Sequence, residues 1–184
     1  MSDTTRHVVM DSKRVDRTIR RMADQIAENC EDTSLLALVA VGRGGLPLTI
    51  RLADELQKSI GQKVPEGVLD VTLYRDDLDY TSKPFLQETR LDFDVDKRTI
   101  VLVDDVLFTG RTIRAALDAL MEYGRPDFIR AAVLVDRGHR ELPIRADFVG
   151  VWLDTVHDDE VDVVLAETPD PADRVEVVSP AREA

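Results

Sequence analysis

Cysteine is nearly absent. Cys30 is the only one in 184 residues, which excludes an internal disulfide and a cysteine-based zinc cluster and leaves thiol redox chemistry without a partner. It reads as a packing residue at a helix end. No apolar run approaches the length that spans a bilayer, and the stretch MSDTTRHVVMDSKR has no apolar signal core, so the chain is expected in the cytoplasm, away from membranes. Positive charge is also in deficit. With 24 Lys and Arg against 36 Asp and Glu, the net charge of −12 weighs against a generic nucleic-acid surface, because polyanion affinity comes largely from neutralising phosphates. It leaves room for a local basic patch, and it fits a salty cytoplasm or plain solubility equally well. The Walker pattern G-x-x-x-x-G-K-[ST] is missing, and Pro47 occupies the third glycine's place of a dinucleotide fingerprint. Neither an internal repeat nor a nucleophilic triad is present.

What is present centres on Thr99 to Leu120, TIVLVDDVLFTGRTIRAALDAL. Ile100 to Val103 form a β-branched and aliphatic run expected of a strand buried on both faces in a parallel sheet. Asp104 and Asp105 then fall at its carboxyl end, where ligands bind in open α/β sheets. After Val106, Leu107 and Phe108 come Thr109, Gly110, Arg111 and Thr112, followed by Ile113, Leu117 and Leu120 at helical spacing. Backbone N–H groups of such a turn, opening a helix, form an anion cradle. The turn and its hydroxyls suit a phosphate dianion, and paired carboxylates accept hydrogen bonds from vicinal ribose hydroxyls. A phosphate alone would not need the acids. The stretch resembles the phosphoribosyl-pyrophosphate (PRPP) motif of the type I phosphoribosyltransferases.

Elsewhere the pattern alternates between strands and helices, consistent with one α/β domain over residues 1–184. Val15, Ile19, Met22 and Ile26 mark an amphipathic helix from Asp11 to about Asn29, with Asp11 or Ser12 as its cap. Lys13, Arg14, Arg17, Arg20 and Arg21 form its outer face, as a solvated surface or as an anion or RNA contact. Leu35 to Val41 reads as a second buried strand running into Gly42, Arg43, Gly44 and Gly45, then a helix through Leu56. Alone, that glycine turn is as consistent with structure as with ligand binding. Residues 67–74 are a third strand candidate, and 75–98 an aperiodic stretch expected to be a mobile lid or hairpin that excludes water from a cation-like sugar. Arg75 either reaches pyrophosphate or pairs with Asp76 or Asp77. Strands follow at 128–135, 148–154 and 161–165. Residues 136–160 are expected as a hood on the base side, and the tail from Glu167 as a terminal strand with a frayed end.

LYRDDL at 73–78, the stretch at 101–120 and LVDRGHRELPIRADFVG at 134–150 together resemble one branch of that superfamily, the pyrimidine operon attenuation regulators with uracil phosphoribosyltransferase activity. The resemblance implies the type I phosphoribosyltransferase fold: a mainly parallel central sheet flanked by helices, with a flexible lid and a small hood. It also implies conversion of uracil and PRPP to UMP and pyrophosphate with Mg²⁺, UMP-dependent binding of pyrimidine-operon leader mRNA, and a homodimer or higher oligomer. On that resemblance Asp104, Asp105 and Arg137 are the catalytic candidates. Arg43, Gly44, Gly45, Arg75, Asp104, Asp105, Leu107, Phe108, Thr109, Gly110, Arg111 and Thr112 bind PRPP, and His139, Arg140 and Arg145 face RNA. The chain departs from the family pattern at Arg43-Gly44-Gly45 and at Val151 to Val156, both similar to purine phosphoribosyltransferases, where the residue matching Asp154 approaches Mg²⁺. Those enzymes carry an Asp where Phe108 stands, which favours a pyrimidine. Two alternatives follow: a nucleotide-sensing RNA-binding regulator without turnover, and a phosphoribosyltransferase for another base.

Overall fold

The computed structural model describes residues 4–76 and 88–180. Strands β2 (Leu36–Val41), β3 (Glu66–Leu69), β4 (Thr99–Leu107), β5 (Phe128–Asp136) and β6 (Phe148–Trp152) form a parallel sheet in the order β3-β2-β4-β5-β6. Successive strand side chains point to opposite faces, and both faces are covered. Leu36, Leu38, Val101 and Val103 pack with helices α1 (Ser12–Glu28) and α2 (Gly45–Ile60). Ala37, Val39, Ile100 and Leu102 pack on the other side with Ile113, Ala116 and Leu120 of α3 (Arg111–Leu120). The expected α/β architecture is therefore present. Asp11 caps α1, its side chain accepting from the Arg14 N–H at 2.8 Å.

The order β3-β2-β4 creates a switch point. From β2 the chain moves outward to β3 and returns on the other side as β4, which opens a crevice at the carboxyl ends of β2 and β4. Strand β4 does not stop before the acids: β5 is equally long and pairs with it through Leu107, so Asp104 and Asp105 lie inside the ladder. Strand β3 is shorter than the 67–74 expected. The Asp70 carboxylate accepts from the Thr72 N–H at 2.8 Å and turns the chain into a single 3₁₀ turn at Thr72–Tyr74. Of the stretch 75–98, residues 77–87 lie outside the described residues. Arg90 pairs with Val68 as an antiparallel bridge, and Val95 is buried.

A second, antiparallel sheet joins the chain ends in the order β1 (Thr5–Met10), β8 (Arg174–Ser179), β7 (Glu160–Val164). The terminal strand expected in the tail from Glu167 is present as β8. Strand β8 is the central strand of this sheet, and Val175 and Val178 are buried. The turn before β8 is fastened by charge: Asp173 accepts from Arg51 of α2 at 2.6 Å, and Arg51 also pairs with Asp16 of α1. Arg51 and Asp173 are both buried, so removing either partner alone would cost about 3–5 kcal/mol.

Candidate functional site

The acid pair is shaped from below by glycine. Gly42 takes φ +61°, a left-handed conformation that turns the chain at the end of β2, and its N–H donates to the Leu69 carbonyl at 3.0 Å. Gly44 then faces the Asp105 carboxylate, and Gly45, the first residue of α2, abuts the Val103 backbone so closely that no side chain fits there. The result is a cavity of about 390 Å³ lined by Arg43, Gly44, Asp70, Arg75, Asp104, Asp105 and Thr112.

Burial pushes the Asp104 carboxyl well above the usual carboxylate range, reinforced by the adjacent Asp105 charge and opposed by Arg75. Burial raises Asp105 as well, but its carboxylate accepts from the Val106 N–H at 2.7 Å and from its partner, so Asp104 holds its proton longer. A positively charged ligand, or a hydroxyl-rich one that donates to both acids, relieves this penalty. Among the described residues no three His, Cys, Asp or Glu side chains gather closely enough to hold a metal by themselves.

The Thr109–Thr112 turn, expected to cradle a phosphate, is braced by the 136–147 segment. Arg137 N–H donates to the Leu107 carbonyl at 3.1 Å, Arg140 Nη1 to the Phe108 carbonyl at 2.6 Å, and the Glu141 and Leu142 N–H groups to the Thr109 carbonyl at 3.0 and 3.2 Å. Three successive carbonyls are occupied from one side. Gly110, at φ +93°, then reverses the chain into α3. The turn and Arg137 bound a second cavity of about 380 Å³, lined by Phe108, Thr109, Gly110, Thr112, Glu160 and Val161 among others. The two cavities share Arg75, Val106 and Thr112. They adjoin across these shared walls.

The remaining candidates divide. Arg137 lines the second cavity and stacks on Phe108, with Cζ 4.1 Å from the ring centroid, and burial lowers its pKa. Arg111 turns away from the cavities to pair with Glu141 at 2.7 Å and Asp76 at 2.8 Å. Arg140 is folded inward onto Asp136, Phe108, Gly138 and Ile144, and His139 Nε2 lies 2.8 Å from the Thr155 carbonyl. Of that trio Arg140 is partly buried, His139 is exposed, and so is Arg145. Arg145 lines a separate cavity of about 370 Å³ with Gln25, Asn29, Arg130, Asp147 and Trp152. Asp154 is exposed and lines neither of the two adjoining cavities. The carbonyls of Val156 and His157, which accept from Arg137 Nη2, were not legible in the sequence, since every residue carries a carbonyl.

Comparison with known proteins identifies the family and the fold. Residues 9–168 match the family model described as phosphoribosyl transferase domain. A curated protein from Deinococcus radiodurans named bifunctional protein PyrR is 50% identical over 173 residues, covering 94% of each chain. Another of that name from Thermus aquaticus is 51% identical, covering 92% of this chain and 93% of the relative. Among solved structures, a hypoxanthine-guanine phosphoribosyltransferase from Bacillus anthracis superposes with TM-score 0.62 over 80% of this chain and 84% of its own, at 17% identity. That likeness is one of fold.

Proposed function

The chain belongs to the phosphoribosyl transferase domain family and, within it, to the proteins named bifunctional PyrR; from that premise we propose that it transfers the phosphoribosyl group of PRPP to uracil, giving UMP and pyrophosphate. One observation carries this reading: two adjoining cavities with shared walls have the acid pair and glycine loop at one end, and the Thr109–Thr112 turn with Phe108 and Arg137 at the other. It suits a molecule with a pyrophosphate, a ribose and a remote 5′-phosphate.

In this reading Thr109 to Thr112 hold the 5′-phosphate on backbone N–H groups and hydroxyls, so binding energy far from the reacting carbon positions it. Asp104 and Asp105 accept from the ribose hydroxyls and oppose the positive charge that develops on the sugar as a uracil ring nitrogen attacks. Arg43 and Arg75 stand where the departing pyrophosphate gathers negative charge, and one well-placed donor there contributes about 3–4 kcal/mol. The donor set fits Mg²⁺ held chiefly by substrate oxygens, because the acid pair alone offers an incomplete shell. When bound, the ion supplies Lewis acidity to the leaving pyrophosphate. Phe108 offers no carboxylate to a purine ring, which supports a pyrimidine.

The regulatory half of the reading is single-stranded leader RNA bound at the cavity of Arg145, Arg130 and Trp152. Two guanidinium groups and one exposed aromatic ring match phosphates and a stacked base. In a chain of net charge −12 such binding must be local.

The deciding experiment is pyrophosphate release from PRPP and Mg²⁺ with uracil, hypoxanthine, guanine and xanthine offered separately. Turnover with uracil alone is expected. Turnover with a purine would overturn the base assignment, and silence with all four in a protein that still binds UMP would leave a sensor without turnover.

A further inference from the structure

Asp159 is 8% exposed and sits in the turn between β6 and β7, outside the acid pair and the Thr109–Thr112 turn. Its Oδ2 accepts from the Val156 N–H at 3.0 Å, while its own N–H donates to the Val156 carbonyl at 3.2 Å. Its Oδ1 accepts from Ser179 Oγ at 2.7 Å, at the end of β8. The turn is therefore closed on itself and tied to the central strand of the small sheet. Its outer carbonyls are the ones that hold Arg137: Nη2 donates to Val156 at 3.0 Å and His157 at 3.1 Å. Thr155 adds a bond from its hydroxyl to the Arg137 carbonyl at 3.3 Å.

Arg137 itself is 6% exposed, and its Nε is buried without a hydrogen-bond partner. A buried donor left unpaired is costly unless a ligand takes it. The carboxylates of Asp159 and Glu160 oppose the desolvation of the guanidinium. The rings of His139 and His157 stand 6.0 and 5.6 Å from Phe108, which confines that ring against the guanidinium. The side-chain hydrogen bonds of Arg137 both go to carbonyls of the 155–159 turn.

We propose that Asp159 is a positioning residue for base binding: through the 156–159 turn and Ser179 it holds Arg137 on Phe108 and keeps Nε–H available for a ring carbonyl of the bound pyrimidine. The inference rests on the transferase reading above and concerns its base side. Loss of Asp159 loosens the base subsite while leaving the glycine loop and acid pair unchanged.

The test measures kcat and the KM of uracil and of PRPP, with Tm, for Asp159→Ala, Asp159→Glu and Ser179→Ala. Asp159→Ala is expected to raise the uracil KM about tenfold, the size of one hydrogen bond to a charged group, with the PRPP KM within about twofold. Asp159→Glu should restore most of the loss, and Ser179→Ala should shift the uracil KM the same way by about threefold. Equal changes in both KM values, or a fall in Tm with both unchanged, would overturn the proposal. If Asp159→Ala does not fold, Ser179→Ala decides by the same split. Should the wild-type protein fail to turn over uracil, the transferase reading falls, and UMP against PRPP affinity in these variants still decides the role of Asp159.

Discussion

Arg140 Nη1 donates to the Phe108 carbonyl oxygen at 2.6 Å, and the same guanidinium pairs with Asp136. A side chain that reads in sequence as part of a basic, RNA-facing run is thus the brace of the Thr109–Thr112 turn. Arg140→Ala should cost about 2 kcal/mol in urea unfolding and raise the PRPP KM, because the Asp136 carboxylate and the Phe108 carbonyl both lose a charged donor. Arg140→Lys should recover only part, since a point charge cannot span both partners as the planar fork does.

The two glycines after Arg43 should respond differently. A Cβ on Gly44 would lie 2.8 Å from Asp105 Oδ2, the end of a side chain that can shift, whereas one on Gly45 would lie 2.1 Å from the Val103 carbonyl oxygen in the middle of β4. Gly44→Ala is therefore expected to fold and to weaken PRPP binding at least about tenfold in a calorimetric titration, given how steeply misplacement at a reacting site is felt. Gly45→Ala forces backbone apart and should lose about 3 kcal/mol of stability or more.

Asp104 has a sign that can be checked. Its folded-state pKa is raised by burial and by Asp105, so its stabilising share is fully present below the ordinary carboxylate pKa and is lost as pH rises through the raised value. Asp104→Asn should accordingly raise Tm at neutral pH, by about 2–4 °C for each kcal/mol relieved, and leave it nearly unchanged near pH 4. The same variant should lose turnover by about a hundredfold or more. In the wild type, the acid limb of kcat/KM for PRPP should lie above the usual carboxylate range.

The RNA reading predicts two separable losses. Arg145→Ala should weaken binding of a single-stranded leader RNA across sequences and lower the slope of log K against log salt by about 0.7, as one phosphate contact does. Trp152→Ala should cost about 1–3 kcal/mol with little change in that slope, because stacking carries no counterions. Filter binding across a salt series distinguishes them, and the single tryptophan of the chain should be quenched by RNA in the wild type. Unchanged binding in both variants would remove this cavity from the RNA reading.

The sequence by itself determined the parts whose signals are local. The apolar runs of β2 and β4, the amphipathic face of α1 with its Asp11 cap, and the order of acid pair, Thr-Gly turn and helix are written within windows shorter than about twenty residues, where the 2.0 and 3.6 periods can be read. Tertiary structure decided what depends on distant segments meeting. The terminal strand expected after Glu167 is present as β8, but no local pattern says that it lies between β1 and β7; pairing with both, as of Arg6 with Val178, makes it central. The direction of Arg140 and the stack of Arg137 on Phe108 depend on the 136–140 segment reaching carbonyls and a ring about thirty residues earlier. A guanidinium is equally at home in water or against buried oxygens. Which it chooses is set by the fold that brings the oxygens within 3 Å, and no local pattern records that distance.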